Sequence, residues 1–282
     1  MTANQFEWEI KPDQGWFRFG LKELFYKKGL ILRFVRRDLL ASYQQTLIGP
    51  LWIVLQPLLA TLVYVIIFSR VARLSTDGTP PLLFYLSGYI IWNFFSDCLN
   101  GTMYTFIFNA HIFNKVYFPR LIIPFSAVVT ASVRGLMQCL FFLILLGFYQ
   151  GSFPQISISV YGILWLIFFL LMIAFFAVGI GLIISVLTAR YRDIDNLIQF
   201  ALRLFMFAAP VVYPASMIPQ EYQVLFRLNP LTTAIEGFRA VFLTGQAFDM
   251  HWVWISVLMV SMICFVGITI FKKLEIKVLD TL

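Results

Sequence analysis

Charge is scarce in this sequence. Asp, Glu, Lys and Arg make up 12% of the chain, against roughly 25% in a soluble domain. Apolar residues make up 60% of it. That imbalance excludes an ordinary soluble domain and points to an integral membrane protein. A chain of 282 residues leaves room for about six spans joined by short loops. Cysteine is also sparse: Cys98, Cys139 and Cys264 all fall inside apolar segments. They read as small buried hydrophobes, which excludes a disulfide framework or a zinc site. The two histidines, His111 and His251, are too far apart in sequence to suggest a metal pair. No G-x-x-x-x-G-K-[ST] loop exists to cradle ATP, and Gly179-Ile180-Gly181, with no preceding strand, reads as helix packing. No Ser/His/Asp constellation stands out. The charged first 45 residues lack a continuous apolar core, so no cleavable signal is expected.

What is present is a series of apolar runs with basic residues beside them. The net charge of +7 therefore suits a membrane surface rather than nucleic acid. Residues 1–48 form a cytoplasmic N-terminal segment, and residues 49–282 form the transmembrane domain. Leu21 to Gln45 is amphipathic: Leu21, Leu24 and Phe25 share one helical face, as do Leu32, Val35 and Leu39. Lys22, Lys27, Arg33, Arg36 and Arg37 are placed to point elsewhere. This predicts a helix lying in the headgroup layer, broken or bent at Gly29.

Six spans are expected at about 51–68 (kinked by Pro57), 82–108, 121–148, 160–187, 197–212 and 252–271. The 27 residues of the second would reach roughly 40 Å, so it should tilt or project. Polar hairpins are expected at 110–120 and at Arg190 to Asp195. Between spans five and six, 218–228 and 231–243 read as two short re-entrant helices separated by Asn229-Pro230. Such pieces survive at membrane depth only when buried in protein or lining a wet cavity. Fifteen of the 21 Lys and Arg fall on the side of the termini and those two hairpins. The positive-inside rule makes that side cytoplasmic. The fold class is an all-α integral membrane protein: six transmembrane helices, an N-terminal amphipathic interface helix and two short re-entrant helices on the outer face.

Asp97, Arg134 and Arg203 lie within apolar runs and should face protein or water. Two readings of Asp97 stand level. It belongs to a polar stripe with Asn93 and Asn100 along a conduit, or it forms a structural ion pair with Arg134. Arg203 reads as snorkelling to the surface. Tyr85, Tyr89 and Trp92 share one helix face at i, i+4 and i+7, and Tyr64, Tyr104, Phe207 and Tyr213 could join them. Aromatic rings and tyrosine hydroxyls suit a sliding sugar polymer. On composition alone the interfacial aromatic belt is the preferred reading.

Five motifs resemble one family in order and at suitable spacing. Arg37-Asp38 with Tyr43 to Trp52 and Gln56-Pro57 resembles its approach to span one. Asn114 to Arg120, followed by Pro124, resembles its first coupling segment. Arg190 to Ile194 resembles its loop after span four. Pro210 to Pro214, and Asn229-Pro230-Leu231 through Glu236 and Arg239, resemble its outer-face region. The family is that of the permease subunits of ABC-2-type exporters, in the branch that exports polysaccharides such as O-antigen, capsule or teichoic acid. Thr46 and Ala209 stand where the family often has serine. The likeness covers nearly the whole chain after residue 20.

The resemblance implies a homodimeric, non-catalytic permease seated on a dimer of ABC ATPase subunits. Those subunits bind the ATP and Mg, and this chain binds no cofactor. Lys115, Val116, Tyr117, Phe118, Pro119 and Arg120, with Arg190, Tyr191, Arg192 and Asp193, would couple to the ATPase. Arg33, Arg36, Arg37 and Asp38 would belong to the interface helix. Tyr64, Tyr85, Tyr89, Trp92, Asp97, Phe207 and Tyr213 would line the sugar pathway. Asn229, Pro230, Glu236 and Arg239 would form an outer gate. The cargo implied is a lipid-linked polysaccharide crossing the bacterial inner membrane, with both termini cytoplasmic. Two alternatives remain: an ABC-2 exporter of drugs or small lipids, and an ion-coupled carrier relying on Asp97. Gly147 and Gly151 have a helix-packing spacing that does not by itself make an interface.

Overall fold

The structure, a computed structural model, describes residues 27–113, 118–191 and 193–279. Among these residues there are helices and no strands. Helix α1 (Lys28–Tyr43) leads through a 3-10 turn (Gly49–Leu51) into α2 (Trp52–Tyr64), which continues as a π turn (Val65–Val71). Then come α3 (Pro81–Met103), α4 (Thr105–Phe113), α5 (Ile122–Gln150) and α6 (Val160–Arg190). The chain ends with α7 (Asp193–Phe205), α8 (Gln220–Leu228), α9 (Pro230–Arg239) and α10 (Met250–Leu279). Among the described residues, five helices are long and apolar enough to cross a membrane: Gly49–Val71, Pro81–Met103, Ile122–Gln150, Val160–Arg190 and Met250–Glu275.

The core sits around α3 and α6. Phe169, Ile173 and Ala177 of α6 are fully buried, as are Leu83, Tyr85, Leu86 and Ile90 of α3. Local signals start these helices. Pro81 occupies the first turn of α3, where its missing N–H costs nothing. The Ser159 side chain caps α6 by accepting from the Gly162 N–H at 3.0 Å. Helix α10 crosses α6 backbone to backbone, with Gly267 against Gly179 and Gly179 against Cys264. A Cβ at either glycine would collide with main chain. The Gly179-Ile180-Gly181 stretch is thus helix packing, as its sequence suggested. Gly147 and Gly151 face open space.

The structure departs from the sequence reading in four places. The second expected span is two helices, because the chain turns at Tyr104 between α3 and α4. The Thr102 and Thr105 hydroxyls bond back to the carbonyls of Cys98 and Thr102, a pattern that bends helices. Second, α1 buries Ile31, Phe34 and Val35, while Leu32 is 69% exposed, so the expected Leu32-Val35-Leu39 face is rotated. The cause is a partner: α1 packs on Phe118, Ile122 and Ile123 at the start of α5. Gly29 lies in the first turn of α1 and does not break it; Leu21, Lys22, Leu24 and Phe25 lie outside the described residues.

Third, the Arg190–Asp195 hairpin is mostly helix. Arg190 closes α6, and Asp193 and Asp195 open α7. Each charge thereby faces the helix end whose dipole favours it. Fourth, the expected span at 197–212 is α7 followed by a 3-10 turn (Met206–Ala208) and irregular chain. The pair of short helices is observed, with the break at Asn229 and the second continuing as a π turn (Ala240–Thr244).

Candidate functional site

Three groups of side chains carry the expected site residues, and the first two begin from charges that are costly in an apolar chain. The first is Arg239, 4% exposed. Its guanidinium donates to the carbonyls of Pro210 at 2.7 Å, Val211 at 2.9 Å and Phe84 at 3.3 Å. It also meets Ser87 Oγ at 3.4 Å and pairs with Glu236 Oε1 at 3.1 Å. Its charge sits 3.7 Å from the centre of the Phe84 ring. Gly88 makes the approach possible, since a Cβ there would fall 2.7 Å from the Val211 oxygen and 2.8 Å from the Arg239 guanidinium. Asn229 caps α9 by accepting from the Leu231 N–H at 3.1 Å, and it donates to the Ala208 carbonyl at 3.3 Å. Buried Pro230 follows it. Asn229 and Arg239, the latter with Glu236, therefore hold the segment from Ala208 to Val211.

The second group surrounds a cavity of about 430 Å³ between α1, α3, α4 and α5. Asp97 Oδ2 and Arg134 Nε face each other across it at 3.6 Å. Arg37 is exposed like Arg33 and Arg36, yet it lines this cavity. It pairs with Asp38 at 2.8 Å and donates to Asn109 at 3.4 Å. Tyr43 lies beside Arg134; burial raises its phenol above the ordinary value and Arg134 opposes the shift. The Asn93–Asp97–Asn100 stripe is occupied by bonds between helices. Asn93 donates to Gln138, Gln138 donates to the Ile53 carbonyl, and Asn100 accepts from Gln199 at 2.8 Å. Tyr104 donates to Asp195 and meets Gln199 at 3.2 Å. An Asp97–Arg134 ion pair is thus present, and it lies on the cavity wall.

The third group is aromatic. Tyr64 and Tyr89 meet at 6.0 Å and Tyr64 and Phe68 at 5.9 Å, joining α2 to α3. Tyr85 is fully buried in the core and Trp92 is 8% exposed, packed on Phe95 and Phe205. Phe207 is exposed beside Trp92 and Arg203 along a groove of about 300 Å³. The Tyr213 hydroxyl donates to the Phe207 carbonyl at 2.7 Å. The expected row is therefore split. Tyr64, Tyr89, Phe207 and Tyr213 keep partial exposure, whereas Tyr85 and Trp92 belong to the core.

In the expected coupling segments, Lys115, Val116, Tyr117 and Arg192 lie outside the described residues. Phe118 is buried, and Arg120 pairs with Glu275 of α10 at 3.8 Å. Arg190 stacks over the Tyr191 ring at 5.3 Å, and Tyr191 and Asp193 are exposed. Sequence reasoning missed Tyr43, Ser87, Gly88, Asn109 and Gln199. Only Gln199 carried a signal, a polar residue four after Asp195 in an apolar run. Among the described residues no cluster of His, Cys, Asp and Glu could hold a metal.

Comparison with known proteins adds an independent finding. The family profile described as ABC-2 type transporter matches residues 30–243. The chain is 28% identical over 261 residues to the O-antigen export system permease protein RfbA of Klebsiella pneumoniae, covering 92% of this chain and 97% of that protein. It is 29% identical over 224 residues to the RfbA protein of Myxococcus xanthus, 79% of this chain and 83% of the relative. The Polysialic acid transport protein KpsM of Escherichia coli is 21% identical over 245 residues, 85% of this chain and 91% of that protein.

Proposed function

The chain belongs to the ABC-2 type transporter family, and from that premise we propose that it is the permease of an ATP-driven exporter of lipid-linked, O-antigen-like polysaccharide across the bacterial inner membrane. The observation that carries this reading is the alignment with a protein named for O-antigen export across 92% of this chain and 97% of the relative. The permease is not an enzyme; ATP and Mg belong to a separate pair of ABC ATPase subunits. Two copies of this chain enclose the pathway.

The topology in this proposal has six crossings and two cytoplasmic termini. Ser216, after α7, bonds Asp77 of the α2–α3 loop at 3.1 Å. Gln155, after α5, reaches Gly78 of the same loop at 3.3 Å. Tyr191 lies at the far end of α6. The chain from 193 to 213 therefore traverses between the two faces although α7 itself is short. Irregular backbone at that depth needs internal partners, and Arg239 supplies them to Pro210 and Val211. This supports α8 and α9 as re-entrant elements forming the outer gate. Exposed Arg33 and Arg36 on α1 are available to lipid headgroups or the ATPase surface. The ATPase pushes on Phe118–Arg120 and on Arg190–Asp193, and the push passes to α10 through Arg120–Glu275 and to α3 through Asp195–Tyr104.

The test is made in cells lacking this chain. Lipid-linked polysaccharide that accumulates on the cytoplasmic side, and is cleared by the intact gene, supports the proposal. Normal surface polysaccharide without internal build-up or a redundant exporter would sink the cargo and favour small lipids or drugs. Transport that needs an ion gradient and not ATP would revive the carrier reading.

A further inference from the structure

We propose that the cavity between α1, α3, α4 and α5 is a docking site for one neutral sugar ring of the transported chain. The choice of a sugar over other hydroxyl-rich ligands rests on the glycan-export reading above. The cavity, about 430 Å³, falls within the roughly 300–1,000 Å³ of small-ligand clefts. Its charges balance: Arg37 and Arg134 are matched by Asp38 and Asp97. An anion would meet two carboxylates there, whereas a neutral polyol finds donors and acceptors in alternation. The central pair stands open. Asp97 and Arg134 are 3.6 Å apart, beyond the roughly 2.7–2.9 Å of a charge-assisted hydrogen bond. Arg134 Nε is buried with no hydrogen-bond partner. Both side chains line the cavity and keep 29% and 28% exposure, so a ligand hydroxyl can bond their accessible atoms.

The cavity also has a platform. Phe108 lines it, is 66% exposed and stacks on Tyr104 at 4.8 Å with the rings 24° from parallel. An aromatic face beside paired carboxylates and guanidinia suits a pyranose, whose C–H face is apolar and whose rim is all hydroxyl. Exposed Ser42 of α1 also lines the cavity, so a larger side chain there would reduce its volume. This site is separate from the Tyr64–Tyr89 aromatics, which lie between α2 and α3.

The experiment uses the full chain in lipid nanodiscs and saturation-transfer NMR. The probes are methyl α-D-glucopyranoside and N-acetyl-D-glucosamine, with inorganic pyrophosphate as the anionic comparison. Transfer to either sugar in the wild type, weakened about three- to tenfold by loss of the ring contact in Phe108→Ala and similarly by occlusion in Ser42→Leu, is the expected result. Both substitutions are at exposed positions, so folding is preserved. No transfer to either sugar, or equal transfer in wild type and variants, overturns the proposal. Pyrophosphate displacing the sugars, or binding alone, overturns it in favour of an anion site. Surface polysaccharide is scored in parallel. Wild type that restores export while the sugar signal fails leaves the exporter reading intact and removes only the site. Wild type that never restores export removes the exporter reading itself.

Discussion

At the scale of single residues, the fold depends on charges placed where an apolar chain is least able to tolerate them. Arg239 is buried against three main-chain carbonyls, a serine and one carboxylate. Removing it takes the guanidinium donor from the Pro210 and Val211 carbonyls, and leaves Glu236 without its partner. Arg239→Gln is expected to lower stability by about 3–5 kcal/mol, the usual cost of breaking a buried charged network from one side. The check is a thermal melt in detergent; an unchanged midpoint would refute the clamp. Gly88→Val should do the same by steric means, since its Cβ would meet the Val211 oxygen at 2.7 Å. The Asp97–Arg134 pair calls for a double-mutant cycle. Either Asp97→Asn or Arg134→Gln alone should cost about 1–3 kcal/mol by stranding a charged partner, and the double variant should recover part of that loss. Strictly additive costs would mean the two groups do not interact. Asp97 and Arg134 were legible as a pair because charge is so rare in this chain. The partners of Arg239 were not, because backbone carbonyls carry no sequence signal.

At the scale of elements, the apolar runs were legible and their interruptions were not. Helices α5, α6 and α10 lie close to their predicted bounds because an unbroken apolar run has few alternatives in lipid. The break at Tyr104 sits inside such a run, and its cause is local: hydroxyls that bond back to the helix and a tyrosine drawn sideways to Asp195. The face of α1 was misplaced for a related reason. Periodicity identifies an amphipathic helix but not its neighbour, and the buried stripe Ile31-Phe34-Val35 is chosen by Phe118, Ile122 and Ile123. The Tyr104 corner is also where α7 holds α3, through Asp195 and Gln199. Tyr104→Phe removes both bonds and keeps the ring. It is expected to reduce export severalfold while leaving the amount of folded protein in the membrane unchanged. Equal loss of protein and export would make the corner structural only; unchanged export would remove it from the coupling route.

At the scale of the whole molecule, the question is parity. Among the described residues five helices pass the length and hydropathy requirement, and five crossings would put the two termini on opposite sides. The topology proposed above has six. The α2–α3 loop, the α5–α6 turn and the segment after α7 meet through Asp77, Gly78, Gln155 and Ser216. At the opposite end, Arg120 at the start of α5 meets Glu275 near the end of α10. Helix α7 opens at Asp193, next to the end of α6. Its 13 residues rise about 20 Å at 1.5 Å each, short of the roughly 30 Å hydrocarbon core. The irregular chain from Met206 to Tyr213 makes up the remainder. That is why hydropathy found a span while the helix stops early. In a parent carrying Cys264→Ser, single cysteines at Ser216, Tyr191 and Lys273 are labelled in intact spheroplasts with a membrane-impermeant maleimide. Labelling of Ser216→Cys alone, with Tyr191→Cys and Lys273→Cys reached only after lysis, is the expected pattern. Ser216→Cys protected together with Tyr191→Cys, and Lys273→Cys labelled, would mean that α7 does not cross. The outer gate built on Asn229 and Arg239 would then have to be moved to the cytoplasmic face.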